Sequence, residues 1–488
     1  MFNIVLVYEK ILIQLKTPLF KPKTIKTTTY FKPIMLRTHT CGELSKKDAG
    51  KTVTLAGWVD SARISGKIGF IHLRDRYGKT QIFLNKELAY EFRNLNKEDI
   101  LQVIGKVKAR PESQVKGSGT GEIELEAEKV IILKKIPPLP LGLDEHIEST
   151  EETRLKYRYI DLRKPEMQQA LMLRHKLVKA VRDFLDKEHF LELETPILGK
   201  STPEGARDYI VPSRTFPGNF FALPQSPQIF KQLLMVSGFD KYFQVARCFR
   251  DEDLRADRQP EFTQLDMEMS FIEEEDIYNL MERLMKYVFK QVLNQDIKIP
   301  FPRMSYANAM QKYRTDKPDL RSETKEEFSF LWVTEFPMFE FSVEENRYMS
   351  MHHPFTCPNM EDVKFLHDNK DKVRSRAYDL VLNGTELGGG SIRISDTDLQ
   401  QEVFKALGLS EKEARSKFGF LLDALQFAPP HGGLAFGLDR WAMIMAKKDS
   451  IREVIAFPKN KDAKDLMLDA PSQVSGEQLK ELRLRLGK

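Results

Sequence analysis

The sequence predicts an α+β protein in two folded parts, a small N-terminal β-barrel and a larger domain in which an antiparallel β-sheet is flanked by helices. Three observations carry that expectation. Between residues 37 and 135 about five strand-like runs are separated by glycine-containing turns, the pattern of a small barrel. IPPLPLG (136–142) then interrupts any sheet, because proline brings no N–H to a ladder. Beyond it, Leu173, Leu177, Val181 and Leu185 recur at helical spacing, while residues 242–249 and 262–271 alternate with period two around a charged loop, as in an antiparallel hairpin.

The 488 residues suffice for two or three cores. Hydrophobic content of 41% and charged content of 30% describe a globular chain, and a net charge of +5 permits a polyanionic partner without requiring one. Cys41, Cys248 and Cys357 are far apart and form no metal-type pair. A reducing compartment, the cytoplasm, is therefore expected, with neither a disulfide framework nor a zinc site. No apolar run approaches a membrane span. The first 34 residues carry six lysines against one acid, Glu9, with no arginine or serine, unlike a transit peptide. The expected organisation is a basic, disordered leader over 1–36, a barrel over 37–136, a hinge linker over 137–168 and the large domain over 169–488.

The barrel strands are read from VTLAGWVDSAR, GFIHLRDRYGKTQIFL, ILQVIGKVKAR and GEIELEAEKVIIL. An OB-fold of this size binds single-stranded nucleic acid by stacking bases on aromatics in a basic groove. Arg63, Phe70 and Gln81 supply a cation, a ring and an amide able to read a base edge, although Phe70 fits a core position equally well. After the prolines, STEETRLKYRYIDLRKPE reads as a charged hinge.

In the large domain the helix of about twenty residues ends in HFLELETPIL (189–198). GKSTPEGARDYIVPS, with Glu204 at its centre, reads as a mobile loop. QSPQIFKQLLMVSG (225–238) carries helix punctuation, with Ser226 as N-cap, Pro227 at the first position and Gly238 past the end. Gln228 and Lys231 lie one turn apart near its positive end. A lysine there opposes the macrodipole, so an anionic ligand and a solvated surface position are both open.

The hairpin puts Phe262, Gln264, Asp266 and Glu268 on one face of its second strand and Thr263, Leu265, Met267 and Met269 on the other, with Arg250 ending the facing strand. A ring and two carboxylates on one face suit either a wet, charged cleft or a solvated surface. A helix is expected over 273–293. In MSMHHPFTCP (349–358) two adjacent histidines on a strand point oppositely and make poor joint metal ligands. AYDLVLNGTELGGGSIRI (377–394) reads as two strands joined at Asn383-Gly384. Its Asp379 and Glu386 are suitable oxygen ligands for Mg²⁺ bridged to phosphates, and Arg393 is a planar fork suited to a carboxylate. HGGLAFGLDRWAMIMA (431–446) sets Gly433, Ala435 and Gly437 on one strand face, a shelf on which a purine can lie. The strand turns into a helix at Leu438, with Arg440 in the first turn, where an anionic phosphate is favoured. There is no GxxxxGK[ST] run.

Taken together, these segments resemble the class II aminoacyl-tRNA synthetases: the helix and strand ending at Pro196 resemble motif 1, FRDEDLRADRQPEF (249–262) motif 2, and HGGLAFGLDR motif 3. The resemblance covers residues 37–488, and QSPQ followed by lysine is similar to the aspartate-charging branch. It implies ATP-dependent activation of L-aspartate and its transfer to the 3′-terminal adenosine of tRNA for aspartate, with tRNA for asparagine an open second partner.

By the same resemblance, Arg250 and Arg440 are the catalytic cations. Arg250 binds the α-phosphate and the amino-acid carboxylate, and Arg440 the outer phosphates. Phe262 stacks on adenine, Glu252, Gln259 and the turn Gly437, Leu438, Asp439 assist the nucleotide, and Asp379 and Glu386 hold Mg²⁺. Lys231 and Arg393 meet the substrate side chain, while Asp266, Gln228 and Glu204 meet its ammonium. His352 belongs to the amino-acid pocket, and the Glu204 loop closes over it. Arg63, Phe70 and Gln81 read the anticodon, and motif 1 implies a homodimer. Two cations facing a short carboxylate reject a neutral amide by about 2–5 kcal/mol, because buried charge is left unpaired.

The chain departs from the bacterial pattern after KYRTDKPDLR (312–321), where an inserted domain is missing. An asparagine-charging enzyme of the same architecture is the nearest alternative, and Lys231 argues against it. A non-catalytic tRNA-binding relative is opposed by the presence of Arg250, Arg440, Asp379 and Glu386.

Overall fold

The structure, a computed structural model, describes residues 36–143, 149–201, 206–343 and 346–487. The expected leader lies outside them except for Leu36. The described chain forms two compact units that divide between Pro138 and Leu139.

In the first unit, period-two alternation builds a closed barrel from β1 (Thr52–Ser65), β2 (Ile68–Asp75), β3 (Gly78–Leu84), β4 (Ile100–Ala109) and β5 (Ile123–Lys134), in the order β1-β2-β3-β5-β4. A short helix, α1 (Lys86–Glu91), is capped by Asn85 between β3 and β4. Leu55, Val59, Ile71, Leu73, Ile82, Leu101, Val103 and Leu125 point inward as one core.

The second unit opens with α2 (Glu151–Lys156), α3 (Arg158–Asp161), α4 (Pro165–Lys187), β6 (Leu191–Glu192), the hairpin β7 (Ile210–Pro212) and β8 (Phe220–Ala222), and α5 (Gln228–Val236). The central hairpin follows as β9 (Lys241–Phe249) and β10 (Glu261–Ser270), then α6 (Glu274–Leu293), β11 (Arg303–Ser305), α7 (Tyr306–Tyr313), α8 (Arg321–Thr324) and β12 (Phe330–Thr334). A second small hairpin, β13 (Phe339–Ser342) and β14 (Arg347–Ser350), precedes β15 (Ala377–Leu382) and β16 (Thr385–Ile392). The chain continues through α9 (Thr397–Ala406), α10 (Glu411–Leu425), β17 (His431–Gly437), α11 (Leu438–Met445) and α12 (Gly476–Glu481).

Eight strands form one sheet in the order β11-β12-β15-β16-β17-β10-β9-β6. Its interior is antiparallel as expected, but both edges, β11 on β12 and β6 on β9, pair in parallel, so the sheet is mixed. Leu265, Met267 and Met269 of β10 pack with Leu177, Val181 and Leu185 of α4 and with Met281 and Leu284 of α6. Burying that face leaves the other to line the site.

Three local expectations are corrected. The segment read as a hinge is helical and anchored: the buried Arg158 guanidinium donates to Asp161 (2.8 Å) and to the carbonyls of Ile455 (2.9 Å) and Ala456 (3.0 Å). Three C-terminal carbonyls and a carboxylate consume its donors, a partnership 298 residues apart that no local pattern reveals. The helix after QSPQ starts one residue late, with Pro227 as N-cap, while Ser226 Oγ accepts from the Gln228 N–H at 3.2 Å. The two histidines follow β14 outside any strand, His352 in a bend and His353 in irregular chain, so strand alternation does not govern their directions.

Candidate active site

The polar face of β10 borders a cleft of about 410 Å³. Strand register sets out its floor. Asp379 on β15 is opposite Gly389, Gly389 is opposite Ala435 on β17, and Ala435 is opposite Asp266 on β10. Partners across antiparallel strands share a face, so four strands contribute to one row. A Cβ at Gly389 would lie 1.8 Å from Asp379 Oδ1, so a side chain there would displace that carboxylate.

Lys231, Arg250, Arg393 and Arg440 all line this one cleft, together with Gln228, Glu252, Gln259, Phe262, Asp266, His352, Asp379, Glu386, Gly437 and Asp439. Glu204 lies outside the described residues. Leu438 is not brought to the cleft: its side chain is fully buried in the main core. The anticodon trio belongs to the other unit.

At one end sits a buried charge quartet. Lys231 Nζ lies 2.6 Å from Asp266 Oδ1 and 3.3 Å from Glu268 Oε2. Arg393 grips Glu268 with Nε to Oε1 at 2.9 Å and Nη2 to Oε2 at 3.1 Å, and its Nη1 donates to Ser391 Oγ at 2.7 Å. All four charged residues are 3% exposed or less, which disposes of the solvated reading of both Lys231 and the β10 face. Burial works to raise Glu268, but Arg393 and Lys231 outweigh it and hold its carboxyl below the ordinary value. For Asp266 burial prevails and pushes the carboxyl up. Among the described residues its Oδ2 and the Gln228 Nε2 are buried without a hydrogen-bond partner, which leaves both able to meet a ligand. Glu268 was placed on this face by its spacing but was assigned no role. Its partner Arg393 is 125 residues away.

Both histidines enter the cleft. His353 Nε2 accepts from Arg393 Nη1 at 2.5 Å, and burial followed by the Arg393 charge drives its pKa well down, so the ring is neutral. Burial also works to lower His352, yet Asp379, 3.3 Å from its Nε2, and Glu386 more than offset it and hold the ring above its ordinary value.

At the other end the Arg250 guanidinium stands 5.0 Å from the Phe262 ring centroid, leaving the ring's opposite face for stacking. Arg440, in the first turn of α11, donates to the Glu386 carbonyl at 3.2 Å and pairs with Asp257 at 3.1 Å. Glu386 is pushed up by burial and then by the Asp379 charge. Two nearby carboxylates that repel one another form an all-oxygen donor set matching a small divalent cation. Among the described residues no group of three His, Cys, Asp or Glu could hold a metal ion.

Two cleft residues expected to assist the nucleotide also have protein partners. The Gln259 side chain is spent on the backbone of Lys459, donating to its carbonyl at 3.1 Å and accepting from its N–H at 2.8 Å. Asp439 accepts from the Thr263 N–H at 2.8 Å and pairs with Arg174. Both side chains hold the walls of the cleft.

In the barrel, Arg63 is opposite Phe70 and Gln81 is opposite His72 in register. Phe70 is half-buried and stands outside the core cluster, with its ring centroid 5.7 Å from that of Phe83. The core alternative for Phe70 therefore fails. Gln81 donates to Glu124 at 3.0 Å. Phe83, two residues after Gln81 and on the same strand face, was legible by period two and went unread.

The family model for "tRNA synthetases class II (D, K and N)" matches residues 150–461, and that for "OB-fold nucleic acid binding domain" matches 53–133. The "Aspartate--tRNA(Asp/Asn) ligase" of Caldanaerobacter subterraneus subsp. tengcongensis is 44% identical over 581 aligned positions, covering 92% of this chain and 98% of its own. The "Aspartate--tRNA ligase" of Clostridium kluyveri is 41% identical with the same coverage. Among solved structures, asparaginyl-tRNA synthetase from Pyrococcus horikoshii complexed with asparaginyl-adenylate superposes with a TM-score of 0.71 at 23% identity, over 86% of this chain and 97% of that one. Aspartyl tRNA synthetase from Entamoeba histolytica gives 0.70 at 21% identity, over 92% and 98%. At those identities the structures speak for the fold, and the closer sequence relatives and the matched family model speak for descent. With one cleft gathering the four cations and a closed five-stranded barrel before it, the chain belongs to the class II tRNA synthetases of the D, K and N group.

Proposed function

We propose that the protein activates L-aspartate with ATP to aspartyl-adenylate and transfers the aspartyl group to the 3′-terminal adenosine of tRNA for aspartate, and that it works as a cytoplasmic homodimer. The observation that carries this reading is the convergence of Lys231, Arg250, Arg393 and Arg440 on one cleft beside the Phe262 ring. Activation is in-line attack of the amino-acid carboxylate on the α-phosphorus, with pyrophosphate leaving. It needs charge neutralisation and alignment more than proton transfer.

The two ends of the cleft divide the work. Lys231 and Arg393, held in place by Asp266 and Glu268, receive the substrate's side-chain carboxylate, and the unpaired Asp266 Oδ2 receives its ammonium. Arg250 meets the reacting α-phosphate while its stacking partner Phe262 takes the adenine, and Arg440 meets the outer phosphates from the positive end of α11. Asp379 and Glu386 would hold Mg²⁺, which supplies neutralisation of phosphate charge when bound. Arg63, Phe70 and Gln81 on the barrel's outer face read the anticodon. The exposed apolar run Leu191, Ile197 and Leu198 beside β6 supports a subunit contact through this segment.

The test is aspartate-dependent ATP–pyrophosphate exchange. Lys231→Leu and Arg393→Leu abolish it while the proteins keep the wild-type circular dichroism spectrum. Near-normal exchange in either variant refutes the pocket assignment. Charging purified tRNA for aspartate and for asparagine separately with radiolabelled aspartate decides the acceptor.

A further inference from the structure

The geometry points to Arg174 as a positioning residue for the nucleotide end of the cleft, acting through Asp439. The inference rests on the reading of that end as the ATP site. Arg174 belongs to α4, far along the chain from the cleft residues it serves. Its Nη1 pairs with Asp439 Oδ1, its Nη2 donates to Thr263 Oγ1 at 3.1 Å, and Nη1 also reaches the Val454 carbonyl at 3.4 Å. Asp439 Oδ2 accepts from the Thr263 N–H at 2.8 Å.

The strand register explains why a carboxylate is needed there. The β10–β17 ladder runs from Ser270↔His431 to Gln264↔Gly437 and stops, because β17 turns into α11 at Leu438. The Thr263 N–H, next along β10 and pointing the same way as those of Leu265 and Met267, therefore loses its ladder partner. A buried N–H without an acceptor is costly, and Asp439 supplies one. Asp439 is itself 2% exposed and Thr263 6%, so the carboxylate requires a counter-ion, and Arg174 is that ion. The residues held are the neighbours of the chemistry: Phe262 precedes Thr263 and Arg440 follows Asp439, and both line the cleft. One salt bridge from α4 thus fixes the spacing between the ring proposed to stack on adenine and the guanidinium proposed to meet the outer phosphates. It touches neither the charge quartet nor Gln228.

The expected consequence separates the two substrates. In pyrophosphate exchange, Arg174→Ala raises the KM for ATP by about tenfold or more and leaves the KM for aspartate within about twofold, while Arg174→Lys recovers most of the ATP KM. A general loss of fold moves both KM values together. Asp439→Asn, which keeps an acceptor for Thr263 but loses the ion pair, is read in the same assay and decides the matter should the alanine variant not fold. The inference is overturned by an unchanged ATP KM in the variants, or by equal rises in both KM values. Absence of exchange in the wild-type protein would instead remove the functional reading on which it rests.

Discussion

Glu268 organises the charges that meet the proposed substrate. Its carboxylate accepts from Nε and Nη2 of Arg393 and lies 3.3 Å from Lys231, so neither cation stands alone. This changes the argument for selectivity. Rejection of a neutral amide cannot come mainly from cations left unpaired, because Asp266 and Glu268 already balance them. It comes from hydrogen-bond character: lysine and arginine only donate, so a carboxylate presents acceptors to both, whereas an amide turns an NH₂ group towards a donor. Glu268→Gln removes the counter-ion of a buried arginine and puts a donor beside it, a change that costs about 2–5 kcal/mol in such pairs. The expected outcome is a fall of 30-fold or more in kcat/KM for aspartate in pyrophosphate exchange, with the ATP KM little changed. An unaltered aspartate KM would show that the fork needs no holder. Residue chemistry alone suggested ligands for Arg393, Asp379 and Glu386, whose functional groups suit carboxylates, phosphates or Mg²⁺, and left Lys231 open. Gln259 was named by resemblance alone, and its double hydrogen bond to the Lys459 backbone had no signal in the sequence.

At the scale of elements, β10 separates two environments by period two, with Leu265, Met267 and Met269 in the core and Phe262, Gln264 and Asp266 in the cleft. Behind the sheet α6, whose span the helical pattern gave to within a residue, starts at a capping box formed by Glu273 and Asp276 and ends at Asn294 in the left-handed region. Its buried Glu282 accepts from the Trp332 indole N–H on β12 at 3.2 Å, a contact with no signal in the helix pattern. Burial pushes the Glu282 carboxyl above its ordinary value. A raised folded-state value means that stability is full while both states are protonated. It is lost as pH rises, because the unfolded chain ionises first. Glu282→Gln keeps an acceptor for Trp332 and cannot ionise. In urea denaturation it is expected to gain stability relative to wild type between pH 4 and pH 8, and a difference independent of pH would count against the burial argument. The histidine pair fails for an elemental reason too: alternation applies to strands, and residues 352–353 lie outside any strand.

At the scale of the molecule, the chain closes directly across the place where the bacterial pattern inserts a domain. After α7, Arg314 turns the backbone at φ 58°, α8 follows, Lys325 turns it again at φ 58°, and Tyr313 donates to Glu323 at 2.7 Å across the gap. β12 therefore enters the sheet without the insertion, and the cleft is assembled from other elements. The proposed homodimer belongs to this scale as well. Replacing Ile197 and Leu198 with aspartate is expected to convert a dimer into a monomer by sedimentation at micromolar concentration, and a wild-type monomer there would remove the assembly.

By itself the sequence determined the barrel, the central hairpin and its two faces, the helical spans of α5 and α6 to within a residue, and the residue types that suit an amino acid and a nucleotide. These are matters of period and composition, and both are local. Only the tertiary structure decided that Glu268 holds Arg393, that Arg158 anchors the supposed hinge, that Gln259 and Asp439 support the walls, and that both histidines face one cleft. Charged and polar side chains choose partners by distance, and distance between segments hundreds of residues apart is set by strand register and helix packing, which no short pattern contains.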